Sequence, residues 1–285
     1  VVAVLALAGC SATSSPVPAP SSARPDTTTS SAIASPSQGG LSGPSVSSSG
    51  GTPGVTPGVA LRCASALSPG LASIELGGPT PTDRLAAGEV GSGSVAVVLL
   101  HQTGRAAMCG WAPYAGWLAT QGVRVLALDF CGYGQSTCQS ASFAADPVAQ
   151  VKVAVEKLRA SGATRITVVG ASMGGTIAVA AAAPVGADAV VDLSGPVRWP
   201  PYDTNAVLPT LTMPTLLAVN ESDDAQAHAV MQAGTTQVPA THKLFVSAPA
   251  GHGWDLVMSR TDPSAPPTAL GRLVADWIAG RYPAG

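Results

Sequence analysis

The residues best placed to do chemistry are Gly170-Ala171-Ser172-Met173-Gly174, a G-x-S-x-G pattern. The pattern is short and recurs by chance, so its setting decides what it means. Directly before it, Arg165 to Gly170 (RITVVG) reads as a buried strand. Directly after it, Met173 to Ala183 reads as an Ala-rich helix. A serine in a sharp strand-to-helix turn has its hydroxyl thrust out above the sheet, in a sparsely populated backbone conformation costing about 1–3 kcal/mol. Glycines at 170 and 174 remove Cβ atoms that would crowd the neighbouring strand and helix. The helix N-terminus brings the positive end of its dipole to where an oxyanion would develop. Ser172 is therefore expected to be a nucleophile. The plainer alternative is a Gly/Ser turn that starts a helix and does no chemistry.

A nucleophile in such a turn needs a sheet to carry it. Short apolar runs rich in β-branched residues recur along the chain: Ser94 to Leu100, Val123 to Asp129, Arg165 to Gly170, Ala187 to Leu193, Pro214 to Asn220 and Lys243 to Val246. Continuous runs without polar alternation indicate strands buried on both faces. Helical stretches lie between them: Trp111 to Thr120, Pro147 to Ala160, Met173 to Ala183 and Ala225 to Ala233, with a last helix over Pro267 to Ala279. Asp146-Pro147 is a good helix start, an N-cap followed by Pro at the first position. Strand–helix alternation predicts an α/β fold with a mostly parallel central sheet and helices on both faces. Leu71 to Leu76 and Arg84 to Val90 read as earlier strands at an antiparallel edge.

From about Val95 to Trp277 this pattern resembles the α/β-hydrolase superfamily. After the first long strand the chain reads Leu99-Leu100-His101-Gln102-Thr103-Gly104, where the family often has His-Gly. Gln102 stands in place of that Gly. Carried over by position, the Thr103 and Met173 N–H groups would form the oxyanion hole, each donor lowering the barrier by roughly 2.7–4 kcal/mol. His101 matches the loop motif and is expected to be structural, with general base as its rival role. Asp129-Phe130-Cys131-Gly132-Tyr133-Gly134-Gln135-Ser136 resembles the family's D-x-x-G-x-G-x-S turn and is expected to be scaffolding. Ala250-Gly251-His252-Gly253-Trp254 resembles its Gly-His-Gly loop, which makes His252 the base that takes the Ser172 proton. His228 and His242 are the competitors. The family pattern selects Asp223 as the acid after the strand ending at Asn220. Asp224 directly precedes a helical run and suits an N-cap. Asp192 is an outside candidate. The chain order Ser172, Asp223, His252 is the family's order of nucleophile, acid and base.

The N-terminal residues carry a different message. Val1 to Gly9 (VVAVLALAG) is too short to span a bilayer, which needs roughly 20 apolar residues, and reads as the end of a secretory signal. Leu7-Ala8-Gly9-Cys10 resembles a bacterial lipobox. That resemblance implies acylation of Cys10 and anchoring of an exported lipoprotein to the outer face of the cell membrane. An ordinary signal that happens to be cut before a Cys is the alternative. Ser11 to about Val59 is rich in Ser, Pro, Thr and Gly and is expected to be a disordered tether. The expected organisation is therefore a partial signal over 1–9, lipidated Cys10 and tether over 10–60, and a hydrolase domain over 61–285. Export puts Cys63, Cys109, Cys131 and Cys138 in an oxidising compartment, where they can form two disulfides in three connectivities. A buried free thiol at Cys109 is the other reading. None has metal-type spacing with a His.

The 285 residues carry a formal net charge of -2, and only 11% are charged. No basic stripe suggests a nucleic-acid partner. No cofactor motif is present. Gly195 to Met213 joins two strands with only about 19 residues, so little or no cap is expected. Trp199, Pro200, Pro201 and Tyr202 read either as an apolar lip or as a Pro-rich surface loop. The leading functional expectation is a serine hydrolase acting on carboxylic esters, thioesters or related small acyl substrates. The alternatives are an acyltransferase or peptidase with the same triad, and a non-catalytic envelope binding protein. Oligomeric state is open.

Overall fold

The computed structural model describes Cys63 and residues 70–259, 262 and 265–283. The signal, Cys10 and the tether lie outside the described residues. In chain order the elements are β1 (Ala72–Gly77), β2 (Arg84–Val90), β3 (Val95–Leu100), α1 (Ala112–Thr120), β4 (Arg124–Leu128), α2 (Ala141–Ala144), α3 (Pro147–Ala160), β5 (Arg165–Ala171), α4 (Met173–Ala182), β6 (Ala189–Leu193), β7 (Arg198–Trp199), β8 (Tyr202–Asp203), α5 (Thr204–Val207), β9 (Thr215–Val219), α6 (Ala225–Thr235), β10 (Lys243–Ser247) and α7 (Ala269–Ile278). Eight strands form one sheet in the order β1-β2-β4-β3-β5-β6-β9-β10. β2 pairs antiparallel with β1 and β4; every other ladder in this sheet is parallel.

The burial patterns follow from this order. β3, β5, β6 and β9 are interior strands covered on both faces, which is why their sequences are continuous apolar runs. β1 and β10 are the edges and are only partly covered. Successive side chains of a strand point to opposite faces. Val98 and Leu100 of β3 pack with Val151, Val155 and Leu158 of α3 and with Ile177 of α4. Val97 and Leu99 pack on the other face with Tyr114 and Leu118 of α1 and Val274 and Trp277 of α7. The expected α/β architecture is thus present, with helices on both faces. The antiparallel pair falls at one edge.

Helix starts are set by side-chain caps. Asp146 accepts a hydrogen bond from Ala149 N–H at the start of α3, Asp224 from Ala227 N–H at α6, and Thr268 from Gly271 N–H at α7. The chain between β6 and β9 forms the small β7–β8 hairpin and the short α5, so no domain-sized lid is inserted there. Trp199 and Tyr202 sit in that hairpin and pack partly against the core beneath it, while Pro200 and Pro201 at its tip are exposed. Two disulfides, Cys63–Cys109 and Cys131–Cys138, use all four described cysteines; Cys109 is not a free thiol. Among the described residues, no helix is long and apolar enough to cross a membrane.

Candidate active site

Ser172 joins β5 to α4 with φ 49° and ψ -120°. Its N–H donates to Leu193 O at 2.8 Å, which carries the β5–β6 ladder one residue into the turn, and its own O accepts from Gly175 N–H at 2.7 Å. The glycines on either side are demanded by the packing. A Cβ at Gly170 would lie 1.9 Å from Gly174 O, and one at Gly174 would lie 2.5 Å from Leu100 O. Ser172 occupies the N-cap position of α4, yet its side chain makes no capping bond, unlike the caps of α3, α6 and α7. A serine cap is ordinarily worth about 1 kcal/mol. The positive φ turns the hydroxyl away from that use and leaves it for other chemistry. Among the described residues no hydrogen bond reaches Ser172 Oγ, a common condition before substrate tightens such contacts.

His252 follows β10 in a loop bounded by two glycines of positive φ, Gly251 at 96° and Gly253 at 57°. Gly253 is what lets the loop reach the elbow. A Cβ there would fall 3.1 Å from the Cβ of Ala171, the residue before Ser172, and 2.1 Å from Gln102 Oε1. The 3-10 turn Gly253–Leu256 then packs on β5 and β6. His252 Nδ1 lies 2.5 Å from Asp223 Oδ2, the two side chains being 40% and 28% exposed. The pair is thus held while one edge of the ring stays accessible. Asp223 is presented by a turn after β9 in which Asn220 Oδ1 accepts Ser222 N–H and Asn220 O accepts Asp223 N–H. The neighbouring Asp224 is spent on the N-cap of α6, with Ala227 N–H at 2.8 Å.

The other histidines and the outside acid are placed elsewhere. His101 is fully buried; Nδ1 lies 2.7 Å from Gln102 O, and Phe130 N–H donates to Nε2 at 3.2 Å. Those partners fix Nδ1 as the protonated nitrogen and leave the ring as a tie between two loops. His228 faces Ser247 Oγ, and His242 stacks on Tyr282. Asp192 is buried behind the elbow, against Gly175 and Gly195, where a Cβ on either glycine would collide with its carboxyl. Burial pushes the Asp192 carboxyl up to about 7, against the opposing effect of a hydrogen bond from Gly195 N–H.

Met173 is the first residue of α4, where amide groups have no intrahelical acceptor. Thr103 is exposed on the loop after β3. Gln102 answers for its unusual presence there: its side-chain Oε1 is buried beneath Gly253 and without a hydrogen-bond partner among the described residues. That contact between the β3 loop and the His252 loop is not readable from sequence. Nor is the seat of Trp254, which is 2% exposed and lies against Gly110 and edge-on to Trp111 at 6.0 Å. Trp111 in turn donates from Nε1 to Leu100 O at 3.0 Å. The aromatic residue directly after Gly-His-Gly was the one available signal that the loop is anchored. Among the described residues no group of His, Cys, Asp or Glu is arranged to hold a metal ion.

A family model described as alpha/beta hydrolase fold matches residues 95–190, from β3 through the elbow to β6. The chain is similar in structure to an esterase of Pyrococcus furiosus, at 20% identity and a TM-score of 0.54 over 65% of this chain and 84% of that one. It is similar to a predicted CIB-like hydrolase of Thermoplasma acidophilum, at 18% identity and a TM-score of 0.54 over 74% and 100%. It is also similar to a serine hydrolase without a lid from Xanthomonas campestris, at 15% identity and a TM-score of 0.53 over 76% and 97%. A search of curated protein sequences found no match. The strand order, the elbow and the family match together define an α/β-hydrolase fold.

Proposed function

We propose that this protein is a serine hydrolase that cleaves carboxylic esters or thioesters through an acyl-enzyme, with Ser172 as nucleophile, His252 as base and Asp223 as acid. The observation that carries this reading is the elbow: Ser172 sits at a helix N-cap in a left-handed conformation with its hydroxyl unused. It is supported by the His252–Asp223 pair on the loop that Gly253 brings against Ala171.

In the first half-reaction Ser172 Oγ adds to the acyl carbon as its proton passes to His252 Nε2. The negative carbonyl oxygen is met by the Met173 and Thr103 N–H groups and by the N-terminal end of α4. The bond to the leaving oxygen or sulfur then breaks as that atom takes the proton from His252. In the second half-reaction water gives its proton to His252 and attacks the acyl carbon, and Ser172 leaves with the proton. Asp223 holds Nδ1–H and stabilises the imidazolium at each stage. The short β6–β9 connection leaves the site open, which suits small esters or acyl groups on larger carriers.

The same reading extends to the N-terminus: Cys10 is acylated and holds the enzyme at the outer face of the cell membrane. Partition of the mature protein into the detergent phase is expected, and recovery in the aqueous phase would overturn it. For the chemistry, a fluorophosphonate probe is expected to label the protein at Ser172, and Ser172→Ala and His252→Ala are expected to abolish labelling. Labelling that survives Ser172→Ala would sink the reading.

A further inference from the structure

The loop that carries His252 has two hydrogen bonds within its reach that are not made. The first joins base and nucleophile. His252 Nδ1 is held by Asp223, but among the described residues nothing bonds His252 Nε2 or Ser172 Oγ. The second lies one residue further on. Gly253 opens the 3-10 turn Gly253–Leu256, so its N–H has no acceptor within that turn. Among the described residues it finds none elsewhere. Gln102 Oε1 is its counterpart, a buried acceptor without a donor among the described residues.

Donor and acceptor lie side by side. A Cβ on Gly253 would fall 2.1 Å from Gln102 Oε1 and 3.3 Å from Gln102 Cδ. The same Cβ would fall 3.1 Å from the Cβ of Ala171, the residue before Ser172. The Gln102 amide is therefore packed between the loop after β3 and the His252 loop, beside the elbow. Oε1 is shut off from water there. A buried acceptor left without a donor is costly, and the arrival of a donor relieves that cost.

The loop is built to turn. Beyond it Trp254 is seated against Gly110, whereas Gly251 and Gly253 have positive φ, at 96° and 57°. Glycine tolerates the changes of φ and ψ that a hinge must absorb. His252 and Gly253 share one peptide plane, so a shift of the loop carries both.

We propose that Gln102 is a positioning residue for the reaction: Gly253 N–H closes onto Gln102 Oε1, and the same movement brings His252 Nε2 onto Ser172 Oγ–H. This rests on the serine-hydrolase reading. Ser172 can add to the acyl carbon only when its proton has somewhere to go, so the closed loop alone matches the transition state, and substrate draws the loop toward it. A glycine at 102, common at this place in the family, would give Gly253 N–H nothing to close on. The side chain that departs from the family pattern thus sets where the base comes to rest.

The test uses the full protein as wild type, Gln102→Met and Gln102→Glu. It reads kcat and KM for p-nitrophenyl butyrate, the rate of fluorophosphonate labelling at Ser172, and Tm. Methionine fills nearly the same space but offers only a weakly accepting sulfur. It is expected to lower kcat and the labelling rate together by about tenfold, the loss of one hydrogen bond, with KM little changed. Its Tm is expected to match or exceed that of wild type, because the unpaired acceptor is gone. Glutamate keeps an oxygen in the same place and is expected to retain most of kcat. A Met variant that turns over at the wild-type rate overturns the proposal. So does a Glu variant no faster than the Met one. A parallel fall of kcat and Tm in the Met variant also overturns it, since that marks Gln102 as packing alone. Any of these results with labelled wild type sinks the positioning role by itself. Wild type that the probe does not label sinks the hydrolase reading, and the positioning role with it.

Discussion

The indole of Trp254 rests directly on Gly110: a methyl group at 110 would fall 2.3 Å from the ring. His252 is two residues before that indole, so the floor under Trp254 sets the height of the His252 loop. Gly110→Ala is expected to push the loop outward. Overpacking of this kind costs about 1–3 kcal/mol of stability, and kcat is expected to fall further than stability alone explains. Thermal unfolding and ester turnover, measured together on folded variant, check this; full turnover would show that the loop does not depend on its floor.

The two adjacent aspartates should behave differently. Asp223→Asn removes the carboxylate at His252 Nδ1 and is expected to lower kcat by about a thousandfold or more, with little change in unfolding. Asp224→Ala removes the cap on Ala227 N–H, and is expected to cost about 1 kcal/mol of stability while turnover largely survives. Kinetics and denaturant titrations on both variants read the contrast, and reversed effects would exchange the roles.

Asp192 should make stability depend on pH. Its carboxyl ordinarily titrates at 3.8 and is raised to about 7 in the fold by burial, so the folded state holds the proton more tightly. Its contribution is full below pH 4, falls as pH rises toward 7, and is gone above that. The total is a few kcal/mol, at about 1.4 kcal/mol per pH unit. Asp192→Asn keeps the acceptor for Gly195 N–H and has nothing to ionise. It is expected to flatten the decline between pH 4 and 7 and to raise Tm relative to wild type at pH 8. Parallel Tm–pH curves for the two proteins would count against it.

The two disulfides should differ in worth. Cys63 and Cys109 are 46 residues apart, and Cys131 and Cys138 only 7. Loop-closure entropy then gives roughly 4 kcal/mol for the first and roughly 2.5 kcal/mol for the second. Urea unfolding of the paired Ser variants measures both, and the Cys63/Cys109 variant is expected to unfold first.

Much of the fold could be read from the chain. Buried parallel strands announce themselves by continuous apolar runs, and β3, β5, β6 and β9 follow the expected segments closely. α3 begins and ends where Asp146-Pro147 and its periodicity indicate. The elbow was legible because its glycines are dictated locally. Strands of two residues carry no period, so β7 and β8 around Pro200-Pro201 were invisible. The disulfide partners, the Gln102–Gly253 contact and the Trp254–Gly110 seat join residues far apart in the chain, and no local pattern encodes them. The N-cap role expected for Asp224 was legible from the helical run that follows it, and Asp224 Oδ1 does accept Ala227 N–H; that Asp223 Oδ2 lies against His252 Nδ1 joins residues 29 apart in the chain and is a matter of three-dimensional placement.

The Cys63–Cys109 bond also governs how force enters the molecule. β1 is an edge strand held by a single neighbour, the kind of strand that peels away first when its end is pulled. Cys63 lies ahead of it and is covalently joined to Cys109, beside the Gly110 on which Trp254 sits. Tension drawn along the chain from before Cys63 passes through the sulfurs into that inner layer, and β1 is shielded from unzipping.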